Sequence, residues 1–340
     1  MATILVAMSG GVDSSVAAAL LKERGFEVCG VTMRLFDGKE NAAVNDAKNV
    51  ADALSIPHYT VDAVDIFDKT VISYFTGEYK SGRTPNPCVR CNHKLKFGML
   101  LDKAVSLGCD FLATGHYAII EDGNLRRGVD SQKDQSYFLY PIFASAIDKI
   151  MFPLGGLTKE KVRETAQKFN LPTAAKKESQ DICFIPSGNY LEFLASRGIG
   201  IGDYGAAGSI IDVNGKVIGK HTGVHNFTVG QRKGLGALGK RMYVRQIIVD
   251  TNTVVAADEE QLETDSIQVK DVLCSKQGLK SGGRFDVQIR YRSKPTSAVV
   301  TSCGSDTLCL KFDEPVRAAA PGQSAVLYDG DIVAAGGVIM

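Results

Sequence analysis

The segment Ser9–Ser15, with the sequence SGGVDSS, brings glycines, hydroxyls and a carboxylate together between an apolar run and a helix-like run. Glycines let the backbone approach an anion closely, and the N–H groups at the start of a helix carry partial positive charge. The hydroxyls of Ser9, Ser14 and Ser15 can add donors for phosphate oxygens. The segment lacks the G-x-x-x-x-G-K-[ST] pattern of a Walker A loop, so it predicts a phosphate loop of another kind. The alternative is an ordinary strand-to-helix turn in which Asp13 or Ser14 is only a cap.

A second reactive pattern is the pair Cys88 and Cys91 within Thr84–Asn92, with the sequence TPNPCVRCN. Two prolines and an asparagine predict a stiff turn just before a helix. Arg90, Lys94 and the positive end of that helix would all favour the thiolate over the thiol. Accessible cysteines in such positively biased loops are typical of nucleophilic sulfur chemistry.

Cys183 is a third candidate, in Glu178–Phe184 (ESQDICF) with Lys176 and Lys177 nearby. The alternative for a C-x-x-C pair is structural zinc, but that usually needs a second pair at metal spacing, and the sequence has none. The remaining cysteines lie in apolar or strand-like runs and are predicted to be small core residues: Cys29, Cys109, Cys274, Cys303 and Cys309.

The first half of the chain alternates strand and helix patterns that would position these residues. Strands are predicted at 3–8, 26–33, 57–61 and 111–114, helices at 14–24, 45–54, 66–79 and 93–107, and a loop at 81–92. Continuous apolar strands separated by amphipathic helices predict a parallel sheet with helices on both faces. Beyond about Arg197 glycine becomes dense, and short alternating strands then favour an antiparallel barrel or sandwich.

Composition excludes several classes of protein. The 340 residues include 39 Lys and Arg against 38 Asp and Glu. Hydrophobic residues make up 44%, which excludes a disordered, a collagen-like or a coiled-coil protein. Apolar runs are too short to span a membrane, and Asp13 interrupts the one segment that resembles a signal peptide, which predicts a cytoplasmic protein with reduced thiols. The near-zero net charge excludes a globally basic nucleic-acid binder.

Charge is nevertheless segregated along the second half. Residues 200–245 carry a local charge of +5, residues 276–294 again +5, and residues 250–271 a charge of −6. These runs are either ordinary solvated faces or parts of a surface for a polyanion.

The segments Ser9–Ser15, Thr84–Asn92 and Glu178–Phe184 together resemble the tRNA-specific 2-thiouridylases, a family within the PP-loop ATP pyrophosphatases. Further segments typical of the family are LATGHY at 112–117, KDQSYFL at 133–139, FPLG at 152–155, FTVGQRKGLG at 227–236 and RYR at 290–292. The resemblance extends over nearly the whole chain. Its phosphate loop alone is shared with other PP-loop enzymes.

The resemblance implies an α/β fold with a parallel-sheet PP-loop domain of the adenine-nucleotide α-hydrolase type at 1–195. A small central domain at 196–252 and a C-terminal antiparallel β-barrel at 253–340 would follow. It also implies ATP-dependent 2-thiolation of the wobble uridine of tRNA, with Mg²⁺ as a cofactor. The implied partners are tRNA and a sulfur-donor protein, either a cysteine desulfurase or a relay carrier, for an enzyme that is monomeric when free and needs no membrane.

Individual residues follow by matching motifs. Cys91 corresponds to the family nucleophile and Cys183 to the persulfide carrier. The implied ATP-binding residues are Ala7, Met8, Ser9, Gly10, Gly11, Val12, Asp13, Ser14, Met33 and Gly115. The implied contacts to the target base and tRNA are Asn86, Pro87, Cys88, His116, Lys133, Asp134, Gln135, Arg290, Tyr291 and Gln323. For His116 a purely structural, hydrogen-bonded histidine is the alternative.

One departure from the family pattern stands at Cys88, where many members carry an aspartate proposed to handle protons. The change leaves that acid–base role without a residue and creates three candidate thiolates. Related thiolases hold an iron–sulfur cluster with a C-x-x-C pair and a distant cysteine, so a cluster on Cys88, Cys91 and Cys183 is an alternative to the persulfide. Two other functions stay open: a PP-loop amide-forming ligase and a nucleotide-regulated RNA-binding protein.

Overall fold

The computed structural model describes residues 1–36, 41–177, 182–185, 188–199, 207–236 and 239–340. The chain forms two compact units, each assembled from several stretches of sequence. Unit 1 contains Met1–Val71, Cys88–Gln180 and Gly330–Val333, and unit 2 contains Ile72–Pro87, Asp181–Asp329 and Ala334–Met340.

Unit 1 is built on a parallel sheet, as the sequence predicts. Its strands are β1 (Thr3–Ala7), β2 (Glu27–Arg34), β3 (His58–Asp62), β4 (Phe111–Thr114) and β7 (Ile150–Met151), in the order β3-β2-β1-β4-β7, with a hairpin of β5 (Ala118–Glu121) and β6 (Asn124–Arg127). Every pairing in this sheet is parallel. In β1 the side chains of Ile4, Leu5 and Val6 are fully buried, which explains why its sequence is a continuous apolar run.

The strand order places the site. Strands β2 and β4 lie on opposite sides of β1 and both run parallel to it, so the connections that follow β1 and β4 leave the same edge of the sheet. Ligands of such sheets bind beyond the carboxyl ends of the strands, where the direction of connection reverses. The segments after β1 (Met8–Gly11) and after β4 (Gly115–His116) are therefore the natural walls of a binding site.

One helical run of the chain departs from prediction. The α-helices are α1 (Val12–Glu23), α2 (Asn41–Ala53), α3 (Val64–Phe67), α4 (Ser73–Lys80), α5 (Pro87–Cys91), α6 (Leu100–Ser106), α7 (Lys159–Lys168) and α8 (Tyr190–Ser196), with π-helical segments at Asp68–Ile72 and Asn92–Met99. The loop predicted at 81–92 is wrong at its end, because helix α5 begins at Pro87. Proline suits the first position of a helix, where its missing N–H is not needed.

Unit 2 carries the strand-rich half of the chain, and one pair of its described strands is parallel where the sequence predicts antiparallel strands. A four-stranded sheet in the order β10-β11-β8-β9 contains β8 (Gly208–Ile211), β9 (Val217–His221), β10 (Tyr243–Ile248) and β11 (Thr253–Ala257). A six-stranded barrel then contains β12 (Glu263–Cys274), β13 (Arg284–Gln288), β14 (Thr296–Cys303), β15 (Thr307–Arg317), β16 (Ser324–Asp329) and β17 (Ile332–Ile339). Pairing of β12 with β17 closes the barrel, which confirms the predicted barrel fold.

Candidate functional site

The phosphate loop and the segment just beyond β4 each have one position where the packing leaves room only for glycine. Gly10 has a φ of 68°, and a Cβ on it would lie 2.5 Å from the carbonyl oxygen of Ala43. A Cβ on Gly115, just beyond β4, would lie 2.7 Å from the backbone nitrogen of Ser14. Helix α1 begins at Val12 after the N-cap Gly11, and no side chain caps it. Its first N–H groups are therefore left for an incoming anion.

The serine hydroxyls divide into two kinds. Ser9 donates its N–H to the Oγ of Ser14 over 3.1 Å, and the two hydroxyls lie 3.3 Å apart. Ser15 is fully buried, and its hydroxyl donates to the carbonyl oxygen of Gly11 over 2.8 Å. The Ser14 hydroxyl donates to the same oxygen over 3.2 Å, so Ser14 and Ser15 both stabilise the start of the helix. Ser9 is the exposed hydroxyl of the three.

Asp13 is held by two partners that the sequence did not reveal. Its Oδ1 accepts a hydrogen bond of 2.7 Å from the hydroxyl of Tyr117 and an ion-paired contact of 2.6 Å from the ammonium of Lys159. Lys159 begins helix α7, and only 11% of its side chain is exposed. The ammonium also lies 5.7 Å from the centre of the Tyr117 ring. A largely enclosed cation therefore lies beside the first turn of α1.

A second lysine contacts the loop from another side. The Lys176 ammonium donates to the carbonyl oxygen of Gly10 over 2.8 Å and to Asp46 over 2.6 Å. The sequence predicts that Lys176 lies near Cys183, whereas in the structure its side chain contacts the phosphate loop. Lys159 and Lys176 thus balance the carboxylates of Asp13 and Asp46 beside the loop, and the free helix end supplies the partial positive charge for an anion.

The remaining positions matched to ATP line the same edge of unit 1. The carbonyl oxygen of Met8 accepts a 2.8 Å hydrogen bond from the hydroxyl of Thr32, which ties β1 to β2 just before the loop. Met33 is half-buried at the end of β2, Ala7 is half-buried at the end of β1, and Val12 is buried. Small and apolar surfaces of this kind suit the base and sugar of a nucleotide.

The thiols of Cys88 and Cys91 lie on helix α5, and their surroundings differ from expectation. Cys88 is exposed and Cys91 is half-buried. The protein atoms around Cys91 raise the pKa of its thiol, and the Lys96 ammonium opposes that effect by lowering the pKa. On balance burial raises the pKa of both the Cys88 and the Cys91 thiol, so the expectation that Arg90, Lys94 and the helix end favour the thiolate is wrong for this structure.

Lys96 is anchored to a buried histidine. Its Nζ lies 3.2 Å from Nε2 of His116, whose Nδ1 lies 2.7 Å from the hydroxyl of Thr114. Burial and the Lys96 charge hold the pKa of His116 well below its usual range, so the ring is neutral at physiological pH. A neutral ring can accept from the ammonium only through Nε2, so it carries its hydrogen on Nδ1 and donates to Thr114.

Cys183 lies in unit 2, in the short described segment 182–185; residues 178–181 of its motif fall outside the described part of the chain. Its side chain is exposed, whereas the next two side chains are buried. The ring of Phe184 packs 5.2 Å from that of Phe75 and 5.1 Å from that of Phe193. An aromatic anchor therefore holds the segment while leaving the thiol accessible.

Several residues matched to tRNA contact have their polar atoms engaged inside the protein. The buried Asp134 carboxylate accepts from the N–H groups of Gly128 and Ser136 at 3.0 and 3.1 Å, and from the Ser136 hydroxyl at 2.8 Å. Gln135 accepts from the N–H of Tyr117 at 3.0 Å through its amide oxygen. Lys133 beside them is half-buried. These bonds shape the loop after the β5–β6 hairpin.

The matched residues of unit 2 behave similarly. The Gln323 amide donates to the carbonyl oxygen of Thr84 over 2.9 Å, next to Asn86 and Pro87. Arg290 donates to the carbonyl oxygens of Val229 and Ala318 at 2.7 and 3.3 Å, and the neighbouring Tyr291 is half-buried. These contacts hold loops of unit 2 together.

Of the five cysteines predicted to be core residues, two are buried, two are half-buried and one is exposed. Cys29 and Cys109 are buried with their sulfur atoms 3.7 Å apart, and Cys274 and Cys309 are half-buried. Cys303 is exposed, so its assignment to the core is wrong. It is the last residue of β14, where three consecutive residues are exposed.

Within the ranges described, no group of three or more His, Cys, Asp or Glu side chains is arranged to hold a metal ion. Among the same residues, no helix is both long enough and apolar enough to cross a membrane.

Comparison with known proteins adds three family matches that follow one another along the chain. Residues 2–187 match the tRNA methyl transferase HUP domain, residues 201–258 the tRNA methyl transferase PRC-barrel domain, and residues 264–339 the aminomethyltransferase beta-barrel domain. The first match alone covers more than half of the chain.

Curated relatives match from end to end. A protein named tRNA-specific 2-thiouridylase MnmA from Carboxydothermus hydrogenoformans is 47% identical over 99% of this chain and 97% of its own length. Proteins of the same name from Acetivibrio thermocellus and Dehalococcoides mccartyi are 44% and 43% identical, again over 99% of this chain, and over 98% and 96% of their own lengths.

Proposed function

The chain belongs to the family of tRNA-specific 2-thiouridylases, and on that premise we propose that it uses ATP to replace the C2 oxygen of the wobble uridine of tRNA by sulfur. The observation that carries the proposal is the combination of a glycine-built anion site, flanked by Lys159 and Lys176, with the thiols on helix α5 in the same unit. Residues 1–195 would form the catalytic domain, followed by domains at 196–252 and 253–340.

The anion site suits the triphosphate of ATP. Free N–H groups of helix α1, the hydroxyls of Ser9 and Ser14 and two ammonium groups would bind the phosphates. Mg²⁺ carried by the nucleotide would supply further charge neutralisation of the phosphates. Met33 and Gly115 would lie near the nucleoside.

The chemistry follows from the leaving group. The C2 oxygen of uracil leaves poorly, whereas adenylation with loss of pyrophosphate turns it into AMP. The outer sulfur of a persulfide on Cys183 then attacks C2, AMP leaves, and the tRNA becomes joined to Cys183 through a sulfur–sulfur bond. The Cys91 thiolate attacks the Cys183 sulfur, and the electron pair of the broken bond passes to the sulfur on C2. Thiolated tRNA is released, and a thiol reductant restores the Cys91–Cys183 disulfide to two thiols.

Two variations of the sulfur step stay open. In one, Cys91 attacks the Cys183 persulfide first and releases hydrosulfide, which attacks C2. In the other, Cys88, Cys91 and Cys183 hold an iron–sulfur cluster that carries the sulfur. An enzyme prepared anaerobically that is fully active, without iron and without charge-transfer absorption, would exclude the cluster.

The decisive experiment incubates the protein with ATP, Mg²⁺, unmodified tRNA, and cysteine with a cysteine desulfurase, and measures AMP together with 2-thiouridine by mass spectrometry. We expect both products in equal amounts.

Cys91→Ser and Cys183→Ser should abolish 2-thiouridine while tRNA binding survives, and the exposed Cys303→Ser is the matched control that should stay active. An amide-forming ligase would keep its activity in Cys183→Ser, and a nucleotide-regulated RNA-binding protein would release no AMP. Activity that depends on a methyl donor would instead support the methyl transfer that two family descriptions name.

A further inference from the structure

The two residues that hold the Asp13 carboxylate, Tyr117 and Lys159, are both hydrogen-bonded to the loop 130–136. This loop follows the β5–β6 hairpin and lies in unit 1, as the phosphate loop does. The loop therefore connects to Asp13 by two separate routes, one through each partner of the carboxylate.

Asp130 determines where helix α7 begins. Its Oδ2 accepts from the backbone N–H of Lys159, the first residue of α7, over 2.9 Å, and its Oδ1 accepts from the N–H of Gln132 over 3.0 Å. The N–H of a first helical residue has no partner within the helix, and the helix dipole favours a carboxylate beside it. Asp130 thereby fixes the backbone from which the Lys159 side chain, 11% exposed, extends to Asp13.

Gln135 makes two hydrogen bonds to the backbone of Tyr117. Its side-chain oxygen accepts from the N–H of Tyr117 over 3.0 Å, and its own N–H donates to the carbonyl oxygen of Tyr117 over 2.9 Å. Tyr117 is only 2% exposed, so loss of the Gln135 oxygen would remove an acceptor from a buried N–H, which is costly. The two bonds fix the position from which the tyrosine hydroxyl reaches Asp13.

The loop 130–136 is itself a fixed support. The buried carboxylate of Asp134 accepts from the N–H of Gly128 and from both the N–H and the hydroxyl of Ser136. A guanidinium nitrogen of Arg127 lies 3.2 Å from Oδ2 of the same carboxylate. A buried polar network with this many partners favours a single conformation, so both ends of the loop are presented at fixed positions.

We propose that Asp130 and Gln135 are positioning residues of the phosphate site. They act on a bound polyphosphate through Lys159 and Tyr117, which fix the charge balance and the orientation of the Asp13 carboxylate beside helix α1. The proposal rests on the proposed function only in taking that polyphosphate to be ATP. It gives the side-chain oxygen of Gln135 a role inside unit 1, whereas the resemblance implies a tRNA contact for this residue.

The first test measures the affinity for ATP in the presence of Mg²⁺ by calorimetric titration. Asp130→Ala and Gln135→Met should each weaken ATP binding by about fivefold to tenfold, the range expected for one lost hydrogen bond. Gln135→Glu keeps an acceptor oxygen and should restore the affinity to within about twofold of the wild type. Gln132→Ala is the matched control, because its side chain is exposed and its described hydrogen bond uses the backbone N–H, so it should bind ATP as the wild type does.

A double-mutant cycle separates positioning from a general loss of structure. In the background of Lys159→Met, Asp130→Ala should cause no further loss of ATP affinity, because the ammonium through which it acts is gone. Gln135→Met should likewise cause no further loss in the background of Tyr117→Phe. Equal factors with and without the second substitution would overturn the proposal. Urea unfolding checks that each variant is folded, and where Asp130→Ala is not, Asp130→Asn, which removes the charge beside α7, takes its place in the cycle.

Binding of tRNA and formation of 2-thiouridine separate this proposal from the proposed function. Gln135→Met should leave tRNA affinity within about twofold of the wild type. Weaker tRNA binding with unchanged ATP binding would overturn the role of Gln135 and support a direct tRNA contact. A wild type that binds ATP but makes no 2-thiouridine would refute the proposed function, while the cycle still decides the role of the loop. A wild type that binds no ATP would overturn both.

Discussion

At the scale of single residues, the Asp13–Lys159 pair shows how the phosphate loop is balanced electrostatically. The carboxylate has both the Lys159 ammonium and the Tyr117 hydroxyl within 2.7 Å. Without a cation, a carboxylate in an anion site would repel phosphate. The lysine therefore makes it possible for a negative side chain to stand at the start of a phosphate-binding helix.

Lys159→Met should weaken ATP binding by roughly tenfold or more, a loss of about 1.4 kcal/mol. The substitution removes a cation and leaves Asp13 without its ion pair. The measurement is calorimetric titration with ATP and Mg²⁺. Lys168→Met, on the same helix but in an exposed pair with Glu23, is the control and should bind ATP as the wild type does. Equal ATP affinity in Lys159→Met and the wild type would show that the pair has no part in the anion site.

Most of the reactive residues were visible in the sequence because their chemistry is local. Asp13, Cys91 and Cys183 stand in short motifs whose residue types imply a role. Lys159 was missed and Lys176 was assigned to the surroundings of Cys183, because lysine is common and only the folded chain brings these two side chains to the loop. The separation of 146 positions between Asp13 and Lys159 leaves no spacing for sequence reasoning to detect.

At the scale of elements, the meeting of β4 with the start of α1 determines the shape of the loop. Gly115 follows β4, and its lack of a side chain lets helix α1 approach. The parallel strands were predicted nearly in full, since buried strands are recognised from continuous apolar runs. The helix at 87–91 and the π-helical turns were not, because proline and polar residues occur both in turns and at helix starts, and because π-turns have no sequence signal of their own.

Gly115→Ala should lower the free energy of unfolding by about 1–3 kcal/mol, the usual cost of inserting a methyl group into packed structure. The new Cβ would meet backbone atoms of Asp13 and Ser14, which cannot rotate away, so ATP binding should weaken as well. Urea unfolding and ATP titration measure the two effects. Gly77→Ala is the control: a Cβ there has open space within α4, and stability should rise by up to about 1 kcal/mol. Unchanged stability and ATP affinity in Gly115→Ala would refute the steric account.

At the scale of the whole molecule, the net charge of +1 is an average over unlike stretches. The two basic stretches and the acidic stretch between them all belong to the second half of the chain. The net charge therefore predicts little about tRNA binding, and the contribution of an individual arginine has to be measured by substitution. The barrel was predicted because its strands alternate, but the long-range anchoring of Arg290 to backbone oxygens was not, since nothing local to residue 290 specifies its partners.

Arg290→Ala should have two consequences, if Arg290 contacts a tRNA phosphate in addition to its own backbone partners. Loss of the bonds to Val229 and Ala318 should reduce the free energy of unfolding by about 1.5–3 kcal/mol, as for hydrogen bonds from charged groups. Loss of one phosphate contact should reduce the slope of log K against log salt by roughly 0.7–0.9. Arg284→Ala, which removes an exposed pair with Asp313, should change stability by about 0–1 kcal/mol. An unchanged salt slope in Arg290→Ala would contradict the contact.

The division of each unit into separate stretches of chain also has a consequence for biosynthesis. Unit 1 includes Gly330–Val333, and unit 2 includes Ile72–Pro87 as well as most of the chain after Gln180. During translation the sheet of unit 1 emerges from the ribosome long before its last segment, and Ile72–Pro87 emerges before nearly all of its own unit. Neither unit can therefore be completed until the barrel has been synthesised. Folding intermediates on the ribosome should expose apolar surface for most of that time, which makes nascent chains of this protein natural clients of chaperones.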